Sequence, residues 1–259
     1  MIIIASIIMA VVCIVPAVTV PVVLHARHSH HSQSEALSNG LALRIMPLGA
    51  SITWGTLSTD GNGYRNDLRT NLTTGGNAVN MVGSRKHGTM ADSDNEGWPG
   101  YVIDQVHDKA RTSVPKWKPN VILVNAGTND CLQNRNVTHA ADRMRSMIDD
   151  LLVWSPRATI VLSTLIVNKD NKTEARVESV NEDYRALAGD LQANGTHLVL
   201  AEMHGSDGPQ LADMADQTHP NDTGYAKMAA IWYAALREAS NKDWLQQAEN
   251  VGIPDNGGS

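Results

Sequence analysis

Residues 44–55 have the sequence RIMPLGASITWG, and the rest of the chain is organised around this stretch. It opens with a short apolar run that is typical of a buried strand, and it breaks at Gly49 into a turn of small residues that carries Ser51. Open α/β sheets present their chemistry just beyond the carboxyl ends of their strands, which is where Ser51 lies. Taken alone, Ser51 is better explained as a helix cap. Three later stretches reverse that interpretation.

Strand and helix patterns alternate from residue 41 onward. Helical segments place apolar side chains at i, i+3, i+4 spacing within residues 140–152, 177–191 and 228–236. Short apolar runs bounded by turn residues lie at 43–48, 78–82, 121–125, 159–166 and 197–202. This alternation predicts an α/β fold, a three-layer sandwich in which a five-stranded parallel sheet has helices on both faces.

Composition limits the classes of protein to consider. The 259 residues are 42% hydrophobic, enough to bury a full core as one domain, and the formal net charge is -6. An acidic chain with no evident basic face argues against nucleic acid as a partner. Cys13 lies in the N-terminal apolar run and Cys131 in the domain, so no disulfide forms within the domain, and zinc-type spacing is absent. We therefore expect no metal and no cofactor.

The N-terminal segment has a composition typical of targeting. Residues 1–24 are almost wholly apolar and are predicted to be a signal peptide or a signal anchor. The domain carries five N-x-S/T sequons, which indicate a glycoprotein on a secretory route, at Asn71, Asn136, Asn171, Asn194 and Asn221. We expect a secreted protein, with membrane anchoring by residues 2–24 as the alternative.

Polar composition sets the remaining boundaries. Residues 25–40 are a polar linker, and its four histidines are either a metal-binding tract or, as we favour, part of a solvated spacer: His25, His28, His30 and His31. The catalytic domain is predicted to span residues 41–245, followed by a flexible C-terminal tail at 246–259.

Four stretches of small and polar residues are expected to meet at one edge of the sheet. Three follow predicted strands, namely GAS at 49–51, NEGWPGY at 95–101 and NAGTND at 125–130. The fourth, DQTHP at 216–220, lies between the last strand and the last helix. Because the carboxyl ends of parallel strands share an edge, these stretches combine into one site.

The four stretches contain the groups that acyl transfer needs. A serine hydroxyl is a weak nucleophile until a histidine removes its proton, and that histidine needs a partner to fix its tautomer. Ser51, His219 and Asp216 fill these roles, since Asp216 lies three residues before His219 on one loop. Donors for a tetrahedral oxyanion are the backbone amides of Ser51 and Gly100 and the side-chain amide of Asn129.

Each of these residues also has a plainer structural explanation. A loop histidine, a helix-capping acid and a turn-forming asparagine would account for His219, Asp216 and Asn129 separately. Gly97 competes with Gly100 as the backbone oxyanion donor. We choose Gly100 because we expect it to open the following helix, whose free amides would point into the site.

Two tryptophans near the predicted site, Trp54 and Trp98, are candidate substrate-binding residues. Their aromatic faces are suited to sugar rings, although packing within the wall of the domain explains each equally well. Tyr64 and Arg65 are expected to bind the first loop to the domain. Cys131 is expected to be a buried free thiol rather than a second nucleophile.

The blocks Gly-Ala-Ser-Ile-Thr, Gly-Thr-Asn-Asp and Asp-Gln-Thr-His-Pro, in this order, resemble the SGNH (GDSL-type) hydrolase superfamily over residues 43–239. The stretches at 60–65, 81–84 and 96–100 resemble the acetylxylan-esterase-like carbohydrate esterases of family three. The resemblance implies a flavodoxin-like five-stranded sheet, a Ser-His-Asp triad and ester hydrolysis without a metal. It places the nucleophile at Ser51 and completes the oxyanion hole with Gly100 and Asn129. Ala50 and Ile52 depart from the family's usual Asp and Leu.

These observations predict a serine esterase for short acyl chains, with acetylated xylan or a related plant polysaccharide, or a small ester, as substrate. The alternatives are a lipase or thioesterase of the same superfamily and a catalytically silent carbohydrate-binding protein on this fold. A phosphoryl-transfer enzyme is disfavoured because the chain has no P-loop. We expect a monomer that contacts a membrane only if its N-terminal segment is retained.

Overall fold

The computed structural model describes residues 36–255. The predicted signal segment, most of the linker with its four histidines, and residues 256–259 lie outside this range. Secretion, glycosylation and membrane anchoring therefore stay predictions. Between residues 36 and 255, no helix is both long enough and apolar enough to cross a bilayer.

A sheet forms the centre of the domain. The strands of the described chain are β1 (Leu43–Gly49), β2 (Val79–Met81), β3 (Arg85–Lys86), β4 (Asp94–Gly97), β5 (Val121–Asn125), β6 (Thr159–Ser163) and β7 (Leu198–Ala201). Their order is β3-β4-β1-β5-β6-β7, and β2 pairs with β1. Every pair is parallel except the short antiparallel pair of β3 and β4.

Helices cover both faces of this sheet. They are α1 (Ser51–Trp54), α2 (Arg65–Thr74), α3 (Ile103–Trp117), α4 (Thr128–Gln133), α5 (Ala140–Trp154), α6 (Asn171–Ala193) and α7 (Asp222–Asn241) within the described residues. One core cluster joins α3, α5 and α6 to one face, and a second joins α2 and α7 to the other. The predicted α/β class with helices on both faces is confirmed.

The sheet contains seven strands in the described chain, so the predicted number of five is wrong. The two missed strands are β3 and β4.

One side of β1 is shared by two strands, because β2 pairs with Leu43–Ile45 and β4 with Leu48–Gly49. The Ile45 carbonyl points toward the β2 and β4 side of β1, where it accepts from the Val82 amide. Backbone groups alternate along a strand, so those of Pro47, two residues later, point toward the same side. Pro47 thus falls between the two partners, where its missing N–H removes no ladder hydrogen bond.

The folded domain begins before its predicted start at residue 41. Leu37 is buried, and its backbone amide donates to Asn77 Oδ1 over 2.8 Å. The side-chain nitrogen of Asn77 returns a bond to the Leu37 carbonyl over 2.9 Å. The last residues of the predicted linker are therefore held against the domain.

The domain also continues past its predicted end at residue 245. Arg44, only 3% exposed, donates from Nη1 to the carbonyl of Glu249 over 2.9 Å. Asn120 donates to the carbonyl of Gln246 over 2.7 Å, and Ala248 is buried. A buried guanidinium needs acceptors, and the chain after residue 245 supplies them. Residues 246–255, predicted as part of a flexible tail, instead pack on the domain beside the start of β1.

Candidate active site

Ser51 is the first residue of α1, directly after β1. The start of this helix has no side-chain capping bond, so Ser51 does not act as its cap. Its Oγ instead lies 2.9 Å from Nε2 of His219, a residue that is 168 positions away in the sequence. The hydroxyl is therefore directed at an imidazole, as the interpretation as a nucleophile requires.

Asp216 fixes the orientation of the His219 ring. Oδ2 of Asp216 lies 2.8 Å from Nδ1 of His219. An ionised carboxylate only accepts hydrogen bonds, so Nδ1 carries the proton and Nε2 is left as an acceptor. In this tautomer Ser51 donates its hydroxyl proton to Nε2. The structure thus brings Ser51, His219 and Asp216 together in the order expected from the sequence.

The loop before α7 holds Asp216 ionised. Its Oδ1 accepts from the backbone amides of Thr218 over 2.7 Å and of His219 over 2.6 Å. Partial burial raises the pKa of Asp216, but these bonds and the one from the His219 ring outweigh it, so the pKa lies below its usual value. The side chain remains 45% exposed, so water screens its charge.

Strand register brings the other predicted segments to the same edge. Gly49 of β1 pairs with Gly97 of β4 on one side and with Asn125 of β5 on the other. Ser51, Gly100 and Asn129 follow these three residues by two, three and four positions. A Cβ at Gly49 would lie 2.2 Å from the Asn125 carbonyl oxygen, so the close approach of these strands requires glycine there.

The amides of Gly97 and Gly100, the two candidate backbone donors, differ in whether they are already bonded. The amide of Gly97 already donates to Asn95 Oδ1 over 2.9 Å. Gly100 lies in a loop with φ of +84°, a conformation that favours glycine, and its amide donates to no acceptor in the described chain.

The prediction that Gly100 opens the following helix is wrong. Helix α3 begins at Ile103, three residues later. The Ile103 amide donates to Asp130 Oδ2 over 3.0 Å, and the Val102 amide donates to Gln105 Oε1 over 3.1 Å. These two amides are satisfied within the protein and do not point into the site.

Asn129 lies in the first turn of α4 and is 8% exposed. Its Nδ2 donates to the carbonyl of Tyr101 over 2.9 Å, which joins α4 to the segment that carries Gly100. One of the two side-chain protons is used in this bond, and the other remains for a ligand. The Asn129 side chain is thus held in one orientation with a donor to spare, and its role as an oxyanion donor stays a prediction.

Sequence reasoning missed the pair that holds α4 in place. Asp130 is fully buried, and its two carboxylate oxygens bind the Ile103 amide and, over 2.6 Å, Arg143 Nη1. Burial raises the pKa of Asp130, and the Arg143 and Ile103 bonds oppose that rise. The acid in the Gly-Thr-Asn-Asp block was the available signal, because a buried acid needs a partner.

Trp54 and Trp98 lie beside the site, where they pack against other side chains. The Trp54 ring stacks on His87 at 4.0 Å, and the Trp98 ring stacks on Tyr101 at 5.5 Å. Both indoles are half-buried, and the guanidinium of Arg85 lies over each of them. Packing is therefore shown for both, and a role in substrate binding stays a prediction.

The other neighbours have the structural roles that we expected. Arg65 is buried, and its Nη2 donates to the carbonyls of Trp54 and Gly61 over 3.1 and 2.9 Å, so it binds the first loop to the domain. Cys131 is a buried free thiol, and burial raises its pKa to about 12, which keeps it protonated and unreactive. Residues 36–255 contain no cluster of three or more His, Cys, Asp or Glu side chains that could hold a metal ion.

Comparison with known proteins identifies the family. The model of the GDSL-like lipase/acylhydrolase family matches residues 48–227. This range begins within β1 and ends within α7, so it contains all the predicted site residues. The resemblance found from the motifs is therefore confirmed at the level of this family.

Individual relatives are more distant. A multidomain esterase of Ruminococcus flavefaciens is 28% identical over 219 residues, which are 73% of this chain but only 28% of that protein. A family 3 carbohydrate esterase of Clostridium thermocellum has a TM-score of 0.69 and 24% identity, covering 77% of this chain and 98% of that one. A family 3 carbohydrate esterase of Talaromyces cellulolyticus has a TM-score of 0.67 and 22% identity, covering 77% and 99%. At these identities the two structures show a shared fold.

Proposed function

We propose, on the premise that this chain belongs to the GDSL-like lipase/acylhydrolase family, that it removes acetyl groups from an acetylated polysaccharide. As a member of that family the chain is an ester hydrolase. The proposal adds the residues that carry the reaction, the short acyl group and the carbohydrate. Ser51 is the nucleophile, His219 the general base and Asp216 its partner.

The observation that carries the proposal is the unbroken line of hydrogen bonds through the imidazole. Nε2 of His219 lies 2.9 Å from Ser51 Oγ, and Nδ1 lies 2.8 Å from Asp216 Oδ2. Both distances fall within the range at which a proton transfers between a nucleophile, a base and its orienting acid.

Acylation follows from this geometry. Ser51 Oγ attacks the ester carbonyl carbon while its proton passes to His219 Nε2, and Asp216 stabilises the imidazolium that forms. The tetrahedral intermediate then collapses. His219 returns its proton to the sugar oxygen, and the alcohol leaves while the acetyl group stays on Ser51.

Deacylation repeats the sequence with water. His219 takes a proton from the water molecule as its oxygen attacks the acetyl carbonyl, and then gives that proton to Ser51 Oγ as acetic acid leaves and ionises in solvent to acetate. The oxyanion of each intermediate is stabilised by the amides of Ser51 and Gly100 and by Asn129 Nδ2. Donors that are already in place need no reorganisation when the charge develops.

Packing around Gly100 favours a short acyl group. Trp98 precedes Gly100 by two residues and is fixed by Tyr101 and by an Nε1 bond of 2.7 Å to Glu96. A lipase needs a continuous apolar surface for a fatty chain. The large apolar side chains exposed in the described chain come from separate segments, at Leu57, Leu132, Val153, Leu211 and Val251. We therefore favour a closed acyl pocket that fits acetyl.

The carbohydrate part of the proposal rests on two supports. The solved structures with a similar fold include two named as family 3 carbohydrate esterases. The half-buried indoles of Trp54 and Trp98 lie next to the proposed nucleophile and oxyanion donor, where the parts left exposed provide aromatic surface for a sugar. Acetylated xylan is the substrate that we favour.

The experiment measures acetate release from acetylated xylan and acetylated monosaccharides, together with hydrolysis of p-nitrophenyl acetate, butyrate and octanoate. Each methylene that a closed pocket excludes is expected to cost about 1–3 kcal/mol in transition-state binding, so activity should fall steeply from acetate to butyrate and be negligible at octanoate. Octanoate turnover as fast as acetate turnover would reject the acetyl specificity and favour a lipase.

The same assays test the nucleophile. Ser51→Ala is expected to lower the rate about 10⁴–10⁶-fold without affecting folding, since it removes only the attacking oxygen. Ser146→Ala, on the exposed face of α5, is the matched control and should retain full activity. A Ser51→Ala enzyme with a tenth of the wild-type activity would show that another group attacks the ester.

A further inference from the structure

Arg85 lies between the two tryptophans that flank the site. Its guanidinium carbon is 4.0 Å from the centroid of the Trp54 ring and 4.5 Å from that of the Trp98 ring. These three residues are called here the tryptophan–arginine wall. All three are half-buried, so the wall is packed on the protein side and open to solvent on the other.

A second cation reaches the same wall. Nζ of Lys109, on α3, lies 4.2 Å from the centroid of the Trp98 ring. Arg85 and Lys109 come from separate elements, β3 and α3, yet both contact one indole. Each contact is a cation–π interaction, which positions the charge while leaving its hydrogen-bond donors available.

The wall is built into the segments that carry the proposed catalytic groups. Trp54 ends the helix that Ser51 begins, and Trp98 lies two residues before Gly100. The Trp98 amide donates to the Gly49 carbonyl over 3.0 Å, which ties the wall to the end of β1. A group bound against the wall is therefore adjacent to an ester held at Ser51.

Neither cation forms an ion pair with an acid among residues 36–255, because the nearby acids have other partners. Glu96 accepts from Ser84 and from the Trp98 indole, and Asp94 pairs with Lys86 at 3.6 Å. On α3, the acids pair with arginines: Asp108 with Arg111, and Asp104 with Arg143. In a chain with a formal net charge of -6, these two cations place positive charge beside the site that no acid of the described chain neutralises through an ion pair.

The guanidinium also has donors to spare. In the described chain, Arg85 makes one hydrogen bond, from Nη1 to the Gly97 carbonyl over 3.2 Å. The remaining N–H groups of a planar guanidinium match a carboxylate in two parallel hydrogen bonds. The indole faces are occupied by His87, Tyr101 and the two cations, so the wall would bind a sugar mainly through its charges.

We propose that the tryptophan–arginine wall is a subsite for an acidic sugar, whose carboxylate pairs with Arg85 and Lys109 while a neighbouring acetyl ester lies at Ser51. This inference rests on the proposed function, because it assigns the charge of the carbohydrate that the esterase prefers. It favours an acetylated polysaccharide that carries uronic acid residues over a neutral one.

The test compares acetate release from acetylated glucuronic acid and from acetylated glucuronamide, which differ in charge but little in size. The quantity measured is the ratio of kcat/KM for the acid to kcat/KM for the amide. The wild-type ratio should exceed one and fall as salt is added, because ions screen the attraction. Arg85→Gln and Lys109→Gln should each lower the ratio by up to about fivefold, the range of a solvent-accessible charge pair.

Lys116→Gln is the matched control, because Lys116 also lies over an indole, that of Trp117 at 4.6 Å, at the far end of α3. It should leave the ratio unchanged. A wild-type ratio of one would overturn the inference. Equal losses on both sugars in Arg85→Gln, with no effect of Lys109→Gln on the ratio, would make Arg85 a structural clamp and overturn it too. If the enzyme also failed to hydrolyse p-nitrophenyl acetate, the proposed function itself would be overturned.

Discussion

Asp216→Asn tests whether the site needs the charge of its acid or only its shape. The side chain keeps its size and one oxygen, which still accepts from the amides of Thr218 and His219. The other position becomes an NH₂ group facing Nδ1 of His219, and two donors cannot bond to each other. The ring then favours the tautomer with its proton on Nε2, which can no longer accept the proton of Ser51.

The expected loss of activity is about 10²–10³-fold in kcat. A hydrogen bond to a charged group contributes about 1.5–3 kcal/mol, which corresponds to about 10–150-fold, and the change of tautomer adds to this. In a triad with a buried acid the same substitution costs about 10⁴-fold. The Asp216 side chain is 45% exposed, so water replaces part of its contribution and the loss should be smaller.

The assay is hydrolysis of p-nitrophenyl acetate by Asp216→Asn, His219→Ala and the double variant. Because Asp216 acts through the ring, the double variant should be no slower than His219→Ala alone. Asp207→Asn is the matched control, since Asp207 is an exposed acid on the connection between β7 and α7. It should lie within about twofold of the wild type, as surface substitutions usually have little effect.

Two results would refute this reasoning. If Asp216→Asn kept more than a third of the wild-type rate, the carboxylate would not be the partner of the imidazole. If the double variant were much slower than His219→Ala, Asp216 would act on the substrate or on the fold independently of the ring.

Two further predictions concern the oxyanion hole and acid. Asn129→Ala should lower kcat about 10²–10³-fold with little change in KM, since one oxyanion donor contributes roughly 3–4 kcal/mol; a change in KM alone would make it a substrate-binding residue. The lowered pKa of Asp216 means that its stabilisation is present above about pH 4 and is lost as the pH falls through its folded value. The free energy of unfolding of the wild type, measured by thermal unfolding, should therefore exceed that of Asp216→Asn at pH 6 by well under 1 kcal/mol, because the side chain is exposed. This difference should disappear at pH 3. A difference that increased in acid would contradict the prediction.

The sequence predicts strands where burial on both faces imposes apolar runs, and it misses strands made of polar residues. β4 consists of Asp94, Asn95, Glu96 and Gly97, which carry no hydrophobic pattern. It is buried because each polar side chain finds a partner: Asp94 pairs with Lys86, Asn95 accepts from the Gly97 amide, and Glu96 accepts from Ser84. These partners become neighbours only when the chain has folded, so no local sequence pattern predicts the strand.

The C-terminal boundary is missed for a related reason. Residues after 245 are polar and end in glycines, a composition typical of a frayed end. The available signal lies 200 residues earlier, at Arg44 in the apolar run that became β1. A buried arginine in a strand must find acceptors, and here it finds the Glu249 carbonyl and, at 3.6 Å, the Asp255 carboxylate.

The meeting of the candidate site segments is more predictable than the fold's edges because parallel strands bring their carboxyl ends together. Ser51, Gly100 and Asn129 each follow a residue of one row across the sheet, and only the His219 loop has to fold back from elsewhere. What the strand ends do not specify is which atoms are free. The amide of Gly97 is bonded to Asn95 and the amide of Gly100 has no acceptor in the described chain, and both are properties of the folded loop.

The two acids in the motifs show how environment divides their tasks. Asp130 is fully buried, and burial raises its pKa. The bonds from Arg143 and the Ile103 amide oppose this rise and offset the cost of burying the carboxylate. It holds α4, and with it Asn129, against the start of α3. Asp216 is half-exposed, and hydrogen bonds outweigh the effect of its partial burial and lower its pKa. Water and backbone amides thus favour the charged form of the acid beside the imidazole, while the buried acid fixes the helix that carries the proposed oxyanion donor.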